Sequence, residues 1–323
     1  MMRKVRWGVL GTADIARGQT IPGMQQAEHC ELVAIAGRKA EKAADYQRTF
    51  GFRKAYGSYD ELLADPEVEA VYIPLPNDLH CAWTLKALKA HKHVLCEKPM
   101  AVSEEQAAEM FRAAEENGVY LMEAYAYLHS PIVAALRAEL DAGAVGVPRY
   151  LESAFITGRR PDTDIRLRKE TYGGALYDLG CYTVSMALWL LGREPADVLA
   201  AAQFSDRRID LFASALLAFD GGALAHLDCG MVLPQGRLDR FRLCGTQGEI
   251  VSPVEFNQAG EIPYTVIRNG VSETKTVTAP NNYMLEVEQL SLCALGQVTP
   301  HVTPAFSLQV ARTMDRILCA VGY

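Results

Sequence analysis

The chain contains 323 residues, of which 50% are hydrophobic and 22% are charged, and its net charge is −7. This length exceeds the usual size of one hydrophobic core and predicts two domains. A mildly acidic chain without a basic run argues against nucleic acid as a partner, and the shortness of its apolar runs argues against a membrane partner. The first apolar run is too short for a secretion signal, so we expect a cytoplasmic protein.

The first 125 residues alternate short apolar runs with amphipathic segments. The apolar runs predict buried strands at residues 5–10, 32–36, 70–73, 93–96 and 120–122. Helices are predicted between them at residues 41–49, 79–90 and 104–117. Strict alternation of strand and helix implies right-handed crossovers and a parallel sheet with helices on both faces. We therefore expect residues 1–125 to form a doubly wound α/β domain of the Rossmann type.

The pattern changes after residue 125, where hairpin-like runs replace the alternation. Helices are predicted at residues 131–142, 175–191, 283–295 and 306–321. Strands are predicted at residues 149–157, 198–204, 211–219, 223–231, 241–244, 264–268 and 273–277. Gly221-Gly222 and Asn269-Gly270 are typical hairpin turns between such strands. Residues 126–323 are therefore predicted to form an α+β domain with a large, mainly antiparallel open sheet and helices on one face.

The strand predicted at residues 211–219 is apolar along nearly its whole length. Such a strand suits burial on both faces of its sheet, although helices are expected on only one face. The uncovered face would then be apolar and exposed, which is unfavourable for a monomer. We therefore expect a homodimer or a homotetramer, formed face to face by this second domain.

The first predicted strand ends in Gly11-Thr12-Ala13-Asp14-Ile15-Ala16. Glycine at the first position allows a tight turn, and small side chains at positions 13 and 16 let the backbone approach a pyrophosphate. The hexapeptide alone is equally typical of a purely structural glycine turn. Its place after the first strand of a βαβ pattern and before a helix favours a dinucleotide site. The predicted cofactor-binding residues in this turn are Gly11, Thr12, Ala13, Asp14 and Ile15.

The residues at the end of the second strand determine whether a Rossmann domain prefers NAD or NADP. A carboxylate there would bind the ribose 2′-hydroxyl of NAD and repel the 2′-phosphate of NADP. The strand instead ends in Gly37-Arg38-Lys39, and Glu31 lies at its start. Arg38 can bind a phosphate through two nitrogens and Lys39 adds charge, although a solvated basic pair at a helix start is the simpler alternative. We expect both residues to bind the cofactor, with NADP favoured and NAD possible.

Two further segments carry side chains suited to proton transfer. The strand near residue 95 runs into Cys96-Glu97-Lys98-Pro99, and a lysine at the carboxyl end of a parallel strand points to the ligand-binding edge of the sheet. Asp178 and Tyr182 are four residues apart on a predicted helix, so they share one face. From spacing alone, a surface lysine and a hydrogen-bonded core pair are the favoured interpretation.

Four segments occur in an order that resembles the Gfo/Idh/MocA oxidoreductases, the family of glucose–fructose oxidoreductase and inositol dehydrogenase. They are the glycine turn at residues 11–16, the segment 72–80, Glu97-Lys98-Pro99 and the segment 173–182. The resemblance covers nearly the whole chain, and Glu97-Lys98-Pro99 is its most specific motif. It implies a Rossmann domain, an open-sheet domain, and hydride transfer between NAD(P) and a carbinol carbon of a sugar, cyclitol or related diol.

The resemblance also implies roles for individual residues. Lys98 would be the catalytic lysine and Asp178 its partner on a helix, while Tyr182 stands where many members have histidine and others have tyrosine. A neighbouring ammonium would favour the phenolate of the tyrosine and stabilise charge on the carbinol oxygen. Asp178 would hydrogen-bond the substrate or hold the lysine charged. The cofactor contacts implied are Pro76, Asn77, His80, Glu97 and Lys98, although His80 could equally be a helix-turn residue without a ligand role.

The chain departs from the family after Glu123-Ala124. Many members have an aromatic residue, arginine, an aromatic residue, histidine and proline there, whereas this chain has Leu128 in place of the arginine and His129 one position early. The variation resembles the sugar-ketoreductase members of the family. It leaves open how a substrate would be anchored near this segment.

The eight cysteines form no C-x-x-C pair and the seven histidines show no metal-ligand spacing. We therefore expect free thiols in a reducing compartment and no bound metal. Two alternatives keep the fold, a nucleotide-dependent sensor without catalysis and a dehydrogenase of another substrate class. An aldehyde dehydrogenase would need a nucleophilic cysteine, for which Cys96 and Cys181 are the candidates.

Overall fold

A computed structural model describes residues 3–252 and 256–323 of the chain. The chain divides into two compact units, Met1–His129 with Asn281–Ser307 and Ser130–Pro280 with Leu308–Tyr323. This division differs from the single boundary predicted between residues 125 and 126, because residues 281–307 belong to the first unit. The sequence of a helix that follows a run of hairpins does not indicate which of two sheets the helix will pack against.

Six strands of the first unit form one sheet in which each neighbouring pair is parallel. They are β1 (Val5–Leu10), β2 (Cys30–Ala36), β3 (Lys54–Tyr56), β4 (Ala70–Ile73), β5 (His93–Glu97) and β6 (Leu121–Ala124). Their spatial order is β3-β2-β1-β4-β5-β6, so the direction of winding reverses between β1 and β4. Ligands of doubly wound sheets bind in the crevice outside the carboxyl ends of strands at such a reversal. The predicted Rossmann-type sheet is confirmed.

Five helices connect these strands. They are α1 (Ile21–Gln26), α2 (Ala40–Phe50), α3 (Tyr59–Ala64), α4 (Asn77–Lys89) and α5 (Glu104–Glu116). The sequence predicted α2, α4 and α5 to within two residues at each end. A helix was expected after the glycine turn, where α1 lies, but without bounds. The sequence missed α3 and β3, because segments of three to six residues are too short to display a periodic pattern.

Eight strands of the second unit form the other sheet. They are β7 (Pro148–Gly158), β8 (Asp197–Phe204), β9 (Asp210–Ala218), β10 (Leu224–Leu233), β11 (Arg237–Gly245), β12 (Gly248–Ser252), β13 (Gly260–Arg268) and β14 (Val271–Ala279). Their order is β14-β13-β12-β11-β7-β10-β9-β8. The β7–β10 pair is parallel and the other described pairs are antiparallel, which confirms a large, mainly antiparallel sheet.

The two faces of this second sheet differ in burial. One row of directly paired residues is largely buried across the sheet, from Leu217 on β9 to Val266 on β13. The next row is half-buried or exposed and is called the open row; it consists of Leu199, Leu216, His226, Glu152, Arg242, Val251, Thr265 and Thr274. Because side chains alternate between the faces of a strand, the sheet has one covered face and one open face.

The helices of the covered face include α6 (Pro131–Asp141) and α7 (Cys181–Leu191), and a wide helical turn, Leu176–Gly180, leads into α7. Two helices follow the last strand, α8 (Asn282–Ala294) and α9 (Pro304–Val321). Residues 169–191 form a helical segment long and apolar enough to cross a membrane, contrary to the expectation that no run has this length. Of its apolar window 83% is buried inside the protein, as in a core helix.

Candidate active site

The turn after β1 has the geometry that its sequence predicts. Gly11 has a φ of +133°, and its amide donates to the Ala36 carbonyl at 2.9 Å. A Cβ at Gly11 would lie 3.1 Å from Leu75 Cδ2, tighter than an ordinary contact, so both backbone angle and space favour glycine. Helical backbone begins at Asp14, directly after the turn. The amides at the start of a helix lack intrahelical partners and attract an anion, which suits a pyrophosphate.

The tip of β2 lies against this turn. A Cβ at Gly37 would be 3.2 Å from Thr12 Cγ2, so the two loops pack closely. Arg38 and Lys39 follow and are exposed, with Lys39 capping the start of α2 without a side-chain hydrogen bond. Arg38 lies beside Tyr59, where its charge opposes the rise that burial causes in the pKa of the tyrosine. The predicted basic pair is thus presented to solvent at the ligand-binding edge of the sheet.

The turn after β5 holds Lys98 by its backbone and is called the lysine turn, residues 98–100. The Lys98 amide donates to Glu97 Oε2 at 3.2 Å, and the Met100 amide donates to Glu123 Oε1 at 2.9 Å. The carbonyl of Pro99 lies 2.9 Å from His80 Nδ1, and that of Met100 accepts from Cys96 Sγ at 3.9 Å. These four contacts fix where the half-buried Lys98 side chain begins.

His80 serves this turn through both of its ring nitrogens. Its Nε2 lies 2.7 Å from the Leu75 carbonyl while Nδ1 contacts Pro99, and the side chain is 1% exposed. Burial lowers the pKa of His80, against the two carbonyls that favour its protonated form. With both nitrogens occupied by the backbone, His80 links the loops after β4 and β5. This geometry favours the helix-turn interpretation of His80 over a direct hydrogen bond to a cofactor.

A chain of buried hydroxyls ends at Glu97. Thr20 Oγ1 donates to the Tyr72 hydroxyl at 2.9 Å, and that hydroxyl donates to Glu97 Oε1 at 2.6 Å. Burial and the carboxylate of Glu97 together raise the pKa of Tyr72 well above its ordinary value. Glu97 is 8% exposed, so its proposed role near the cofactor depends on a buried, hydrogen-bonded carboxylate.

In the second unit, Tyr182 lies at the start of α7 and Asp178 in the wide turn before it. The Tyr182 ring packs between Phe155 and Phe256, with centroid distances of 5.3 Å and 5.2 Å. Asn257 Nδ2 donates to the Tyr182 hydroxyl at 3.4 Å. The phenol is therefore held in an aromatic pocket with its oxygen next to a polar group.

Asp178 forms an ion pair that sequence reasoning missed. Arg166 Nε lies 2.9 Å from Asp178 Oδ2, and Arg160 Nη2 lies 3.9 Å from the same atom. The charge of Asp178 is the largest cause of the raised pKa of Arg166. A basic stretch at residues 159–169 was the available signal, but loop sequence does not say which acid it meets. Within its own unit, Asp178 is thus a carboxylate kept ionised by arginine.

Asp210 caps the helical segment that carries Asp178 and Tyr182. Its Oδ2 accepts from the Leu176 amide at 2.6 Å, and its Oδ1 accepts from the Tyr323 hydroxyl at 2.5 Å. Burial raises the pKa of Asp210 to about 6, against these hydrogen bonds. Gly174 has a φ of +125°, and a Cβ there would lie 1.9 Å from Asp210 Oδ1. The cap explains Gly174, and the close approach of the Arg166 carbonyl, 2.4 Å from a Cβ at Gly173, explains the other glycine of the pair.

The segment that departs from the family is buried through Leu128, and His129 is half-buried. The Leu128 carbonyl lies 3.1 Å from His301 Nε2, and the His129 ring lies 5.1 Å from the His301 ring. Burial and the neighbouring imidazole lower the pKa of His129 to about 3, so this ring is neutral near pH 7. His129 therefore contributes a neutral polar group next to Leu128, which stands in place of the arginine of many members.

Two other expectations concern metals and thiols. Among the described residues, Glu28, His29 and Glu288 form a group close enough to share a metal ion. His29 Nδ1 already contacts Glu288 Oε1, and its amide donates to the other oxygen at 3.0 Å, so the pair satisfies itself. Burial raises the pKa of the Cys96 thiol well above its ordinary value, which makes Cys96 a poor nucleophile for an aldehyde dehydrogenase.

Comparison with protein families matches both parts of the chain. Residues 5–125 match an oxidoreductase family with an NAD-binding Rossmann fold, and residues 133–251 match the C-terminal domain of the same family. The chain belongs to the GFO/IDH/MocA oxidoreductase family. The resemblance inferred from the sequence motifs is therefore confirmed, as are the fold class and the assignment as an oxidoreductase.

Several characterised relatives span nearly the whole chain. D-xylose 1-dehydrogenase (NADP(+)) 2 of Haloferax volcanii is 36% identical over 96% of this chain and 95% of its own length. Trans-1,2-dihydrobenzene-1,2-diol dehydrogenase of Xenopus laevis is 31% identical over 98% of both chains. The crystal structure of a 3-ketoreductase from Actinomadura kijaniata, in complex with NADP and TDP-benzene, superposes with a TM-score of 0.92 at 30% identity, over 99% of this chain and 98% of that chain.

The Asp210 cap leads to a stability prediction. We expect Gly174→Ala to lower the free energy of unfolding by more than Gly143→Ala, because both glycines have positive φ but only the first would meet another atom within 4 Å. Each substitution carries a backbone cost of about 1–3 kcal/mol, and Gly174→Ala should also displace the capping carboxylate. Urea denaturation of the two variants and the wild type measures the difference. Equal losses would show that Asp210 moves aside at little cost.

Proposed function

We propose that this protein is an NADP(H)-dependent oxidoreductase that transfers hydride between the nicotinamide and a carbinol or ketone carbon of a sugar, cyclitol or related diol. The observation that carries the proposal is the lysine turn, which fixes Lys98 at the carboxyl edge of a Rossmann sheet. Membership of an oxidoreductase family, with relatives named as xylose and dihydrodiol dehydrogenases, supports the substrate class.

The residues of the first unit fit a dinucleotide. The Gly11 turn opens a helix whose first amides would bind the pyrophosphate, and Thr12, Ala13, Asp14 and Ile15 form this opening. Arg38 and Lys39, exposed at the tip of β2, would bind the 2′-phosphate of NADP. Pro76 and Asn77 begin α4 at the same edge of the sheet and would contact the nicotinamide ribose, as the family resemblance implies. The bound nicotinamide supplies or accepts the hydride.

Residues of the chain would transfer the proton of the substrate hydroxyl. We assign Tyr182 as the residue that donates a proton to, or removes it from, the substrate oxygen, because a phenol can serve as a general acid or base. The Lys98 ammonium would stabilise negative charge on that oxygen and favour the phenolate. Asp178, kept ionised by Arg166, would accept a hydrogen bond from a substrate hydroxyl. Asp178 and Tyr182, four residues apart on one helical segment, would supply an acceptor and a donor for neighbouring hydroxyls of a polyol.

Turnover tests the proposal directly. We expect oxidation of an aldose, cyclitol or vicinal diol, or reduction of the matching ketone, to change the absorbance at 340 nm when the cofactor is present. A protein that binds the dinucleotide tightly but turns over no member of such a panel would support the non-catalytic sensor instead.

Substitution of the proton-transfer residues gives a sharper test. We expect Lys98→Met and Tyr182→Phe each to lower kcat by about 10²–10⁴-fold while the dissociation constant of NADPH changes little. The combined variant should lose less than the product of the two losses, since the two groups act together. Steady-state kinetics and NADPH fluorescence titration measure both quantities.

The matched controls are Lys89→Met and Tyr172→Phe, which remove the same groups from exposed positions. Controls that lose as much activity as the site variants would contradict the assigned roles.

Cofactor preference is a separate prediction. We expect wild-type protein to bind NADPH more tightly than NADH, and Arg38→Ala to reduce that preference, because arginine at the tip of β2 would bind the 2′-phosphate through two nitrogens. Arg48→Ala, at the other end of α2, is the control. Fluorescence titration of both dinucleotides gives the ratio, and an unchanged ratio in Arg38→Ala would contradict the assignment.

We also propose that the open face of the second sheet joins two copies of the chain, as a homodimer or within a homotetramer. Leu199, at one end of the open row, is 63% exposed and pairs with the half-buried Leu216. These two leucines form an apolar patch at that end of the row. Charged pairs lie beside it, with Arg240 Nη1 2.5 Å from Glu152 Oε1 and Arg242 Nε 2.9 Å from Glu249 Oε2. The open row is less apolar than the sequence predicted, since three of its eight residues (Leu199, Leu216 and Val251) are apolar, so the proposal rests on the exposed Leu199 and its neighbour Leu216. The eight free thiols, several of them buried, support our expectation of a cytoplasmic location.

Light scattering at micromolar concentration tests the assembly. We expect wild-type protein to have at least twice the monomer mass, and the double variant Leu199→Asp/Leu216→Asp to have the monomer mass, because carboxylates would be buried in an apolar contact. Val271→Asp is the control, since Val271 is 71% exposed but lies outside the open row. A monomeric wild type would rule out the proposal.

A further inference from the structure

Glu123 is a buried carboxyl group next to the catalytic lysine. It lies on β6, paired with Cys96 on β5, and is 4% exposed. Its Oε1 accepts from the Met100 amide at 2.9 Å, two residues after Lys98. A carboxyl at this depth is costly unless something compensates for its desolvation, so its presence beside the lysine turn calls for a role.

We propose that Glu123 is a positioning residue of Lys98, whose carboxylate both fixes the lysine turn and supplies the negative charge against which the ammonium is held. This inference rests on the proposed function of Lys98. The hydrogen bond to Met100 sets where the turn lies, and the nearby charge of Lys98 acts on the same carboxyl. The role differs from that of Glu97, whose contact with the turn is through the Lys98 amide.

The groups around Glu123 make its charge sensitive to pH. Burial raises the pKa of Glu123 to about 7, while the Met100 amide, the hydroxyls of Ser307 and Tyr125, and the Lys98 ammonium all lower it. Cys96, the paired residue on β5, stays a neutral thiol because burial raises its pKa well above its ordinary value. Glu123 therefore ionises near pH 7, and Lys98 loses this counter-charge as the pH falls through that value.

Two substitutions separate the hydrogen bond from the charge. Glu123→Gln keeps an oxygen that can accept from the Met100 amide but removes the charge, whereas Glu123→Ala removes both. We expect Glu123→Ala to lower kcat by about 10²-fold, the scale of a misplaced catalytic group, with the dissociation constant of NADPH within about twofold of wild type. Glu123→Gln should lose less and should lack the acidic limb near pH 7 in the profile of kcat against pH. Glu116→Gln, an exposed carboxyl on α5, is the control and should keep the wild-type profile.

A second readout does not depend on turnover. Because the interaction is reciprocal, removal of the lysine charge in Lys98→Met should raise the pKa of Glu123. Carbon NMR of protein labelled at the glutamate carboxyl carbon follows this titration, with Glu123→Gln identifying the signal. An unchanged pKa in Lys98→Met, or an acidic limb retained in Glu123→Gln, would overturn the inference. A wild type without turnover on any polyol would instead overturn the proposed function, and the NMR titration would still decide the coupling.

Discussion

The backbone of the lysine turn is fixed from four directions, and the rest of the candidate site depends on it. Glu97 and Glu123 hold its amides, while His80 and Cys96 contact its carbonyls. A lysine side chain has many rotamers, so a fixed starting point reduces the freedom that must be lost when the ammonium reaches a substrate. All four partners lie near the carboxyl ends of the strands of one parallel sheet, because the strand ends and the loops that follow them meet there.

Carboxyl groups contact the lysine turn, and a further one lies near Glu97. Glu97 and Glu123 contact the turn on the two sides set by their strands, and Glu286 on α8 lies near enough to Glu97 for the two charges to interact. Among the described residues, neither carboxyl oxygen of Glu286 has a hydrogen-bond partner, and burial raises its pKa well above the ordinary value. The neighbouring Glu97 raises the pKa of Glu286 further, because two buried carboxylates repel each other.

Sequence patterns predicted the frame of the molecule better than its electrostatics. The βα alternation predicted the parallel first sheet, and Asn269-Gly270 forms the expected hairpin with positive φ at both residues. These features are local, since periodicity and turn chemistry act over a few residues. The partners of His80 and of Asp178 are not local, because Pro99 is 19 residues away and Arg166 is in a preceding loop. No spacing rule could have found them.

Sequence patterns also identify candidate residues better than they predict the protonation and contacts of those residues. The sequence named Glu97, Lys98, Asp178 and Tyr182, but a carboxyl or phenol has a chemical role only through its protonation and contacts. In the structure, Asp178 forms an ion pair with Arg166, whereas burial raises the pKa of Glu123 to about 7 against the hydrogen bonds and the lysine charge that lower it. The raised pKa of Glu123 also costs stability: its folded form holds a proton that the unfolded chain has already released, so its contribution falls as the pH rises from its ordinary value towards 7. A carboxyl that lowers stability beside the lysine turn is consistent with the positioning role proposed for Glu123.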